Sequence, residues 1–96
     1  MRPISKGMWC KDEEGRVGIA HMDDVFGKDG KVVLENPKDP NSRKKQEPTF
    51  HVVTADGTTS LVVYRDWAGL VQASYDEIPT SRRPASRDFA AGLGYV

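Results

Sequence analysis

The stretch TFHVVTADGTTSLVVYR, residues 49–65, decides the fold. Two β-branched runs flank Asp56-Gly57, the strongest short-range signal for a β-hairpin, because glycine accepts the positive φ that a tight turn needs. On the first run Phe50 and Val52 alternate with His51 and Val53; on the second Leu61 and Val63 alternate with Val62 and Tyr64. Both faces therefore carry apolar residues, the pattern of a sheet that closes on itself.

Working outward, residues 6–20 read KGMWCKDEEGRVGIA. Residues 8–11 form a short strand, DEEG a turn and residues 16–22 the return strand. Val17, Ile19 and His21 share one face of that strand, while Gly18 and Ala20 occupy the other. Two small residues in a row on one face imply that another strand or a ring approaches closely there. Residues 22–31, MDDVFGKDGK, make a longer excursion with a turn at Asp29-Gly30, and residues 31–35 read as a further strand. Residues 36–48, NPKDPNSRKKQEP, hold three prolines and almost no apolar residue, so they are expected to be a mobile loop inside the domain. Residues 70–74 supply a last extended segment, and Pro79 ends the body. The tail, residues 80–96, accommodates a short helix over residues 86–93 with Ser86 as its N-cap. Phe89 and Leu93 then lie on one helix face. This divides the chain into a body, residues 1–79, and a tail, residues 80–96, expected to be an interaction element outside the core that docks on its own barrel, on a second copy or on a partner.

A chain of 96 residues suits one domain. Apolar residues make up 38% and charged residues 29%, polar for a folded domain but not a disorder signature. The net charge of zero hides an uneven distribution. Residues 1–35 and 49–78 hold 7 Lys/Arg against 11 Asp/Glu, a net −4, whereas residues 36–48 and 79–96 hold 7 against 3, a net +4. The acidic body argues against a nucleic-acid groove. One cysteine, Cys10, excludes an intrachain disulfide and a thiolate zinc knuckle. No apolar run reaches the ~18 residues of a membrane span, and no hydrophobic signal core opens the chain, so a cytoplasmic protein is the expectation.

The opening stretch resembles the KOW and related SH3-like barrel pattern. Lys6-Gly7 stands where that family starts its first strand, and Gly15-Arg16-Val17-Gly18-Ile19 where Gly-x-x-Gly-apolar starts the second. The resemblance implies an all-β, small SH3-like barrel of five or six short strands, with Gly18 as the central glycine where the strand bends sharply. The turn between the two strands is shorter and more acidic than in ribosome-associated KOW domains, which carry basic residues there. Residues 51–84, HVVTADGTTSLVVYRDWAGLVQASYDEIPTSRRP, also resemble small proteins encoded by phages and prophages.

No catalytic site is expected. Ser60, Ser74 and Ser81 lack a nucleophile elbow, Gly15-x-x-Gly18 lacks the strand–loop–helix setting of a phosphate loop, and Cys10 reads as a buried core residue. His21, Asp23 and Asp24 on one strand, with His51 and Asp56 on another, allow a two-His, one-carboxylate site to be drawn. No spacing requires the side chains to converge, so no metal and no cofactor are assigned. The function class expected is a non-catalytic binding module with a protein partner. Its candidate contacts are Trp67 and Tyr75, the acidic Glu13, Glu14 and Asp24, and Phe89 and Leu93 of the tail. The alternative is a nucleic-acid-associated module using Arg43, Lys44 and Lys45 of the loop with Arg82, Arg83 and Arg87 of the tail.

Overall fold

The computed structural model describes residues 3–96. It is all-β: one five-stranded antiparallel sheet, with a single short helix near the C-terminus. The strands are β1 (Trp9–Lys11), β2 (Val17–Asp24), β3 (Gln46–Val53), β4 (Thr59–Val63) and β5 (Val71–Gln72), in the order β4-β3-β2-β1-β5. A 3₁₀ turn spans Tyr75–Glu77, and helix α1 spans Arg87–Gly92.

The two hairpins form where the turn residues demand. Between β3 and β4, Thr54 N–H donates to the Thr58 carbonyl, Gly57 takes φ 88°, and the Asp56 carboxylate accepts from Thr58 N–H. Between β1 and β2, Gly15 takes φ 83°, and the Asp12 carboxylate accepts from the backbone N–H of Glu14 and of Arg16. Register then fixes the faces, since directly opposed residues share one. Cys10, Gly18, Val52 and Ser60 form one inner row, and Ala20, Phe50 and Val62 the next. Cys10, Ala20 and Phe50 are fully buried, and with Met8, Leu70, Tyr75 and Ile78 they make the core. The close approach implied by Gly18 and Ala20 is made by β3 itself: a Cβ on Gly18 would lie 2.2 Å from the His51 carbonyl oxygen.

The sheet is strongly curled. The Tyr64 hydroxyl, just past β4, donates to the Asp12 carboxylate at 3.1 Å, bringing the end of one edge strand to the β1–β2 turn. Among the described residues, β4 and β5 each have one neighbour in the sheet.

Two segments differ from the expectation. Gln46, Glu47 and Pro48 belong to β3, paired with Asp24, Asp23 and Met22, so the expected loop 36–48 is shorter than its composition suggests. Residues 31–35 join no strand and contribute only the bridges Phe26↔Val32 and Leu34↔Lys44. Residues 25–45 instead form an arm, knitted by Val25 N–H to Lys45 O, Val33 N–H to Val25 O and Lys45 N–H to Val33 O. None of residues 21–48 is buried. The arm explains the 48 × 25 × 23 Å shape and a radius of gyration of 15.6 Å, against roughly 12–13 Å for a compact chain of this length.

The tail is also placed differently. The Ser86 hydroxyl caps α1 by accepting from Phe89 N–H, as the sequence predicts. But Ala90 and Tyr95 are part of the core, so the tail is not outside it. The Tyr95 hydroxyl accepts from Trp9 N–H at 2.8 Å, and Tyr75 N–H donates to the Val96 carbonyl. The prolines that interrupt regular structure here do not stop the chain from folding back over the sheet.

Candidate functional site

The Asp12 carboxylate organises the acidic turn. Its side chain is 3% exposed and receives the Arg16 guanidinium at 2.7 Å. It also accepts from two backbone N–H groups and from the Tyr64 hydroxyl. Desolvation pushes this carboxyl up, but the Arg16 side chain and backbone and the Tyr64 hydroxyl outweigh it, holding Asp12 below the usual carboxylate range. With Asp12 committed inward, Glu13 and Glu14 project outward; both are exposed. The Glu14 carboxylate lies 3.4 Å from the Arg16 guanidinium, and Glu13 packs beside Gly69.

These groups rim a groove of about 320 Å³ lined by Asp12, Glu13, Glu14, Arg16, Val62, Tyr64 and Gly69. Three carboxylates against one guanidinium leave it acidic, and Val62 and the Tyr64 ring give it an apolar wall. The Tyr64 ring is held from behind by Phe50, with centroids 5.9 Å apart.

The expected contacts are only partly brought together. Glu13 and Glu14 share the groove. Trp67 is half-buried, packs against the core and donates its indole N–H to the Thr49 carbonyl at 3.2 Å. Its turn reaches the groove through Gly69. Tyr75 is buried, its hydroxyl donating to the Pro84 carbonyl at 2.6 Å and its ring lying under Arg83 and Arg87, which makes it a core residue. Asp24 accepts from the Gln46 side chain at the far end of β2, roughly 23 Å along the strand from its Val17 end at ~3.3 Å per residue. Phe89 of α1, 64% exposed, and Leu93 at its C-cap, 43% exposed, face outward while Ala90 takes the inner side. Tyr64, an aromatic at the end of the hairpin's second strand that the sequence also allows as a core residue, is not among the expected contacts, yet it lines the groove.

The six cations of the alternative reading fall into two groups. Arg43, Lys44 and Lys45 lie on the arm, beyond the Asp24 end of β2. Pro79 and Arg83 line a cleft with Val17 and Val53, at the opposite end of the β2–β3 pair. The tail cations are already engaged: Arg82 lies over the Trp9 ring, Arg83 donates to the Ile78 carbonyl, and Arg87 pairs with Asp76 at 2.8 Å.

The outer face of the sheet carries a second constellation. The register aligns Leu61, His51, Ile19 and Trp9 in one row, Val63, Thr49 and His21 in the next, and Glu47 with Asp23 beyond. His51 of β3, distant in sequence, meets His21 and Asp23 of β2 here: His51 Nε2 lies 2.6 Å from Asp23 Oδ2, and the two imidazole centroids are 4.7 Å apart. The Thr49 hydroxyl donates to the same carboxylate oxygen at 2.5 Å. Thr49 first and His51 second hold Asp23 below the usual carboxylate range.

No described helix is long and apolar enough to cross a membrane. No protein-family model, curated protein or solved structure matches the chain, so its functional reading rests on the geometry of these two sites.

Proposed function

We propose that the protein is a non-catalytic binding module, built as an SH3-like curled sheet, that takes a basic segment of a partner protein into the groove between the β1–β2 turn and the end of β4. The observation that carries this is the juxtaposition of the outward Glu13 and Glu14 with the ring of Tyr64 and the side chain of Val62. Such a surface offers paired charge on one side and an apolar wall on the other, which suits Lys or Arg side chains whose stems lie along the ring. The floor of the groove is braced by the hydrogen bonds that Arg16 and Tyr64 make to the buried Asp12 carboxylate, so the site is formed before the partner arrives and little ordering cost is added on binding. β-Augmentation along the free edge of β4 would extend the same contact.

The test is the affinity of an octa-arginine peptide for the wild type and for Glu13→Gln/Glu14→Gln. A rim carboxylate contributes roughly 0.5–1 kcal/mol, so the double substitution is expected to weaken binding about tenfold. Raising salt is expected to remove most of that difference. Equal affinities for the two proteins refute the assignment of the groove. Tighter binding of duplex DNA than of the peptide would instead favour the nucleic-acid alternative on the arm and tail.

A further inference from the structure

We propose that His21, Asp23 and His51 form a binding site for a first-row divalent transition metal ion, with zinc the reference case. The three ligand atoms all lie within 4.8 Å of one another. Atoms bound tetrahedrally to one ion at ~2.0–2.2 Å stand roughly 3.3–3.6 Å apart. His21 Nδ1 and Asp23 Oδ1 already meet that spacing at 3.3 Å. His51 Nε2 and Asp23 Oδ2, at 2.6 Å, are closer than it and must open by roughly 0.7–1 Å, and the two imidazole nitrogens, within 4.8 Å, settle toward it by side-chain rotation.

The second observation is an atom without a role in the protein's own hydrogen bonding. His21 Nδ1 is buried, yet it makes no hydrogen bond; its 3.3 Å approach to Asp23 lacks the alignment for one. A buried ring nitrogen in that condition costs the fold stability, and an ion bound at its lone pair would relieve the cost. The donor set selects the class of ion. Two imidazoles and one carboxylate suit zinc, cobalt, nickel or ferrous iron, whereas magnesium and calcium prefer oxygen.

The platform is rigid where it needs to be. His21 faces Thr49 directly across β2 and β3, His51 is the diagonal neighbour, and Asp23 follows His21 on the same face. Thr49 is buried, and its hydroxyl anchors the carboxylate, the outer-shell contact that orients a metal ligand. Ligation replaces the hydrogen bond between His51 and Asp23, so His51 carries its remaining proton on Nδ1. The three side chains are each about one third exposed, which leaves an entry path and room for water or a partner's side chain to complete the coordination. None of these residues lines the acidic groove, so the site stands or falls independently of the proposed partner.

The experiment is a zinc chloride titration of the full chain by calorimetry, with ¹⁵N-edited spectra of the imidazole rings of the same wild-type sample. Saturable binding of one ion is expected, with the ring nitrogens of both His21 and His51 shifting and a rise in Tm that magnesium does not reproduce. His21→Gln and Asp23→Asn are each expected to weaken zinc by about tenfold or more, and Thr49→Val by about tenfold, with the fold unchanged by circular dichroism. The proposal is overturned if zinc does not saturate, if the two imidazoles of the wild type do not shift, or if both ligand variants bind zinc as the wild type does.

Discussion

Replacing Gly18 by alanine tests the packing on which both sites depend. The added Cβ would stand 2.2 Å from the His51 carbonyl oxygen and 2.8 Å from both the His51 carbonyl carbon and the Val52 Cα. All three are backbone atoms of β3, so no side chain can rotate away. An ordinary carbon–oxygen contact needs ~3.3 Å, so β2 and β3 must part locally by about 1 Å. A hydrogen bond stretched by that amount is no longer one. Losing about two ladder bonds costs roughly 2 kcal/mol, and the residual overpacking adds about 1–3 kcal/mol. Restricting the unfolded chain returns only about 0.4–1 kcal/mol. The net expectation is about 3 kcal/mol for Gly18→Ala and more for Gly18→Val. At roughly 4–8 °C per kcal/mol for a domain of this size, Tm falls by more than about 10 °C. Gly15→Asn is the control: its φ is positive, but no atom lies within 4 Å of the position, and asparagine tolerates that region. Thermal unfolding followed by circular dichroism decides it. A Gly18→Ala protein melting within about 3 °C of the wild type would refute the close-approach argument.

The other predictions follow from individual contacts. Tyr95→Phe is expected to cost about 1–2 kcal/mol, because it removes the hydroxyl that accepts from Trp9 N–H in a buried setting; unchanged stability in urea would show that the tail does not hold β1. Truncation after Pro79 is expected to cost more than Tyr95→Phe, since it removes Ala90 and Tyr95 from the core, and a truncated chain as stable as the wild type would contradict that. Acid is expected to destabilise the fold through Asp12, Asp23 and Glu77, whose carboxyls sit below their ordinary values. Their contribution is complete above the ordinary carboxylate range near pH ~4 and is lost as pH falls through the lower folded values. Urea midpoints between pH ~7 and ~3 check it, and Asp12→Asn should flatten the dependence. Desolvation raises the Cys10 thiol to about 11, so Ellman's reagent at mildly alkaline pH should label it only after unfolding; rapid labelling of the native protein would contradict its burial.

What the sequence disclosed followed the range of the interaction concerned. Asp56-Gly57, Gly15 and Ser86 act over four residues or fewer, and the hairpins and the cap stand where their chemistry puts them. Gly18 announced a close approach, but only the register shows that the neighbour is the β3 backbone at His51. The His21–Asp23–His51 constellation was readable as residue types; its convergence depends on His21 facing Thr49, a pairing that no local signal sets. Tyr75 looked like an exposed contact because it stands in a polar run, yet the Pro84 carbonyl and two guanidinium groups satisfy it in the core. The arginines of the tail suggested a solvated surface, and Arg82 and Arg87 are exposed; what composition left open, whether the tail docks on its own body, is answered by Arg82 and Arg83 lying over the Trp9 and Tyr75 rings. Composition also overstated the loop 36–48, because Pro48 sits in β3 with its carbonyl accepting from Tyr64 N–H.

The central claim, that the acidic groove receives a basic partner segment, is tested most directly by ¹H–¹⁵N spectra of the protein during addition of octa-arginine. The account predicts progressive, salt-sensitive shifts confined to Glu13, Glu14, Arg16, Val62, Tyr64 and Gly69, with the arm and α1 unmoved. Shifts centred on Phe89 and Leu93, or on Arg43, Lys44 and Lys45, or none at all, would contradict it.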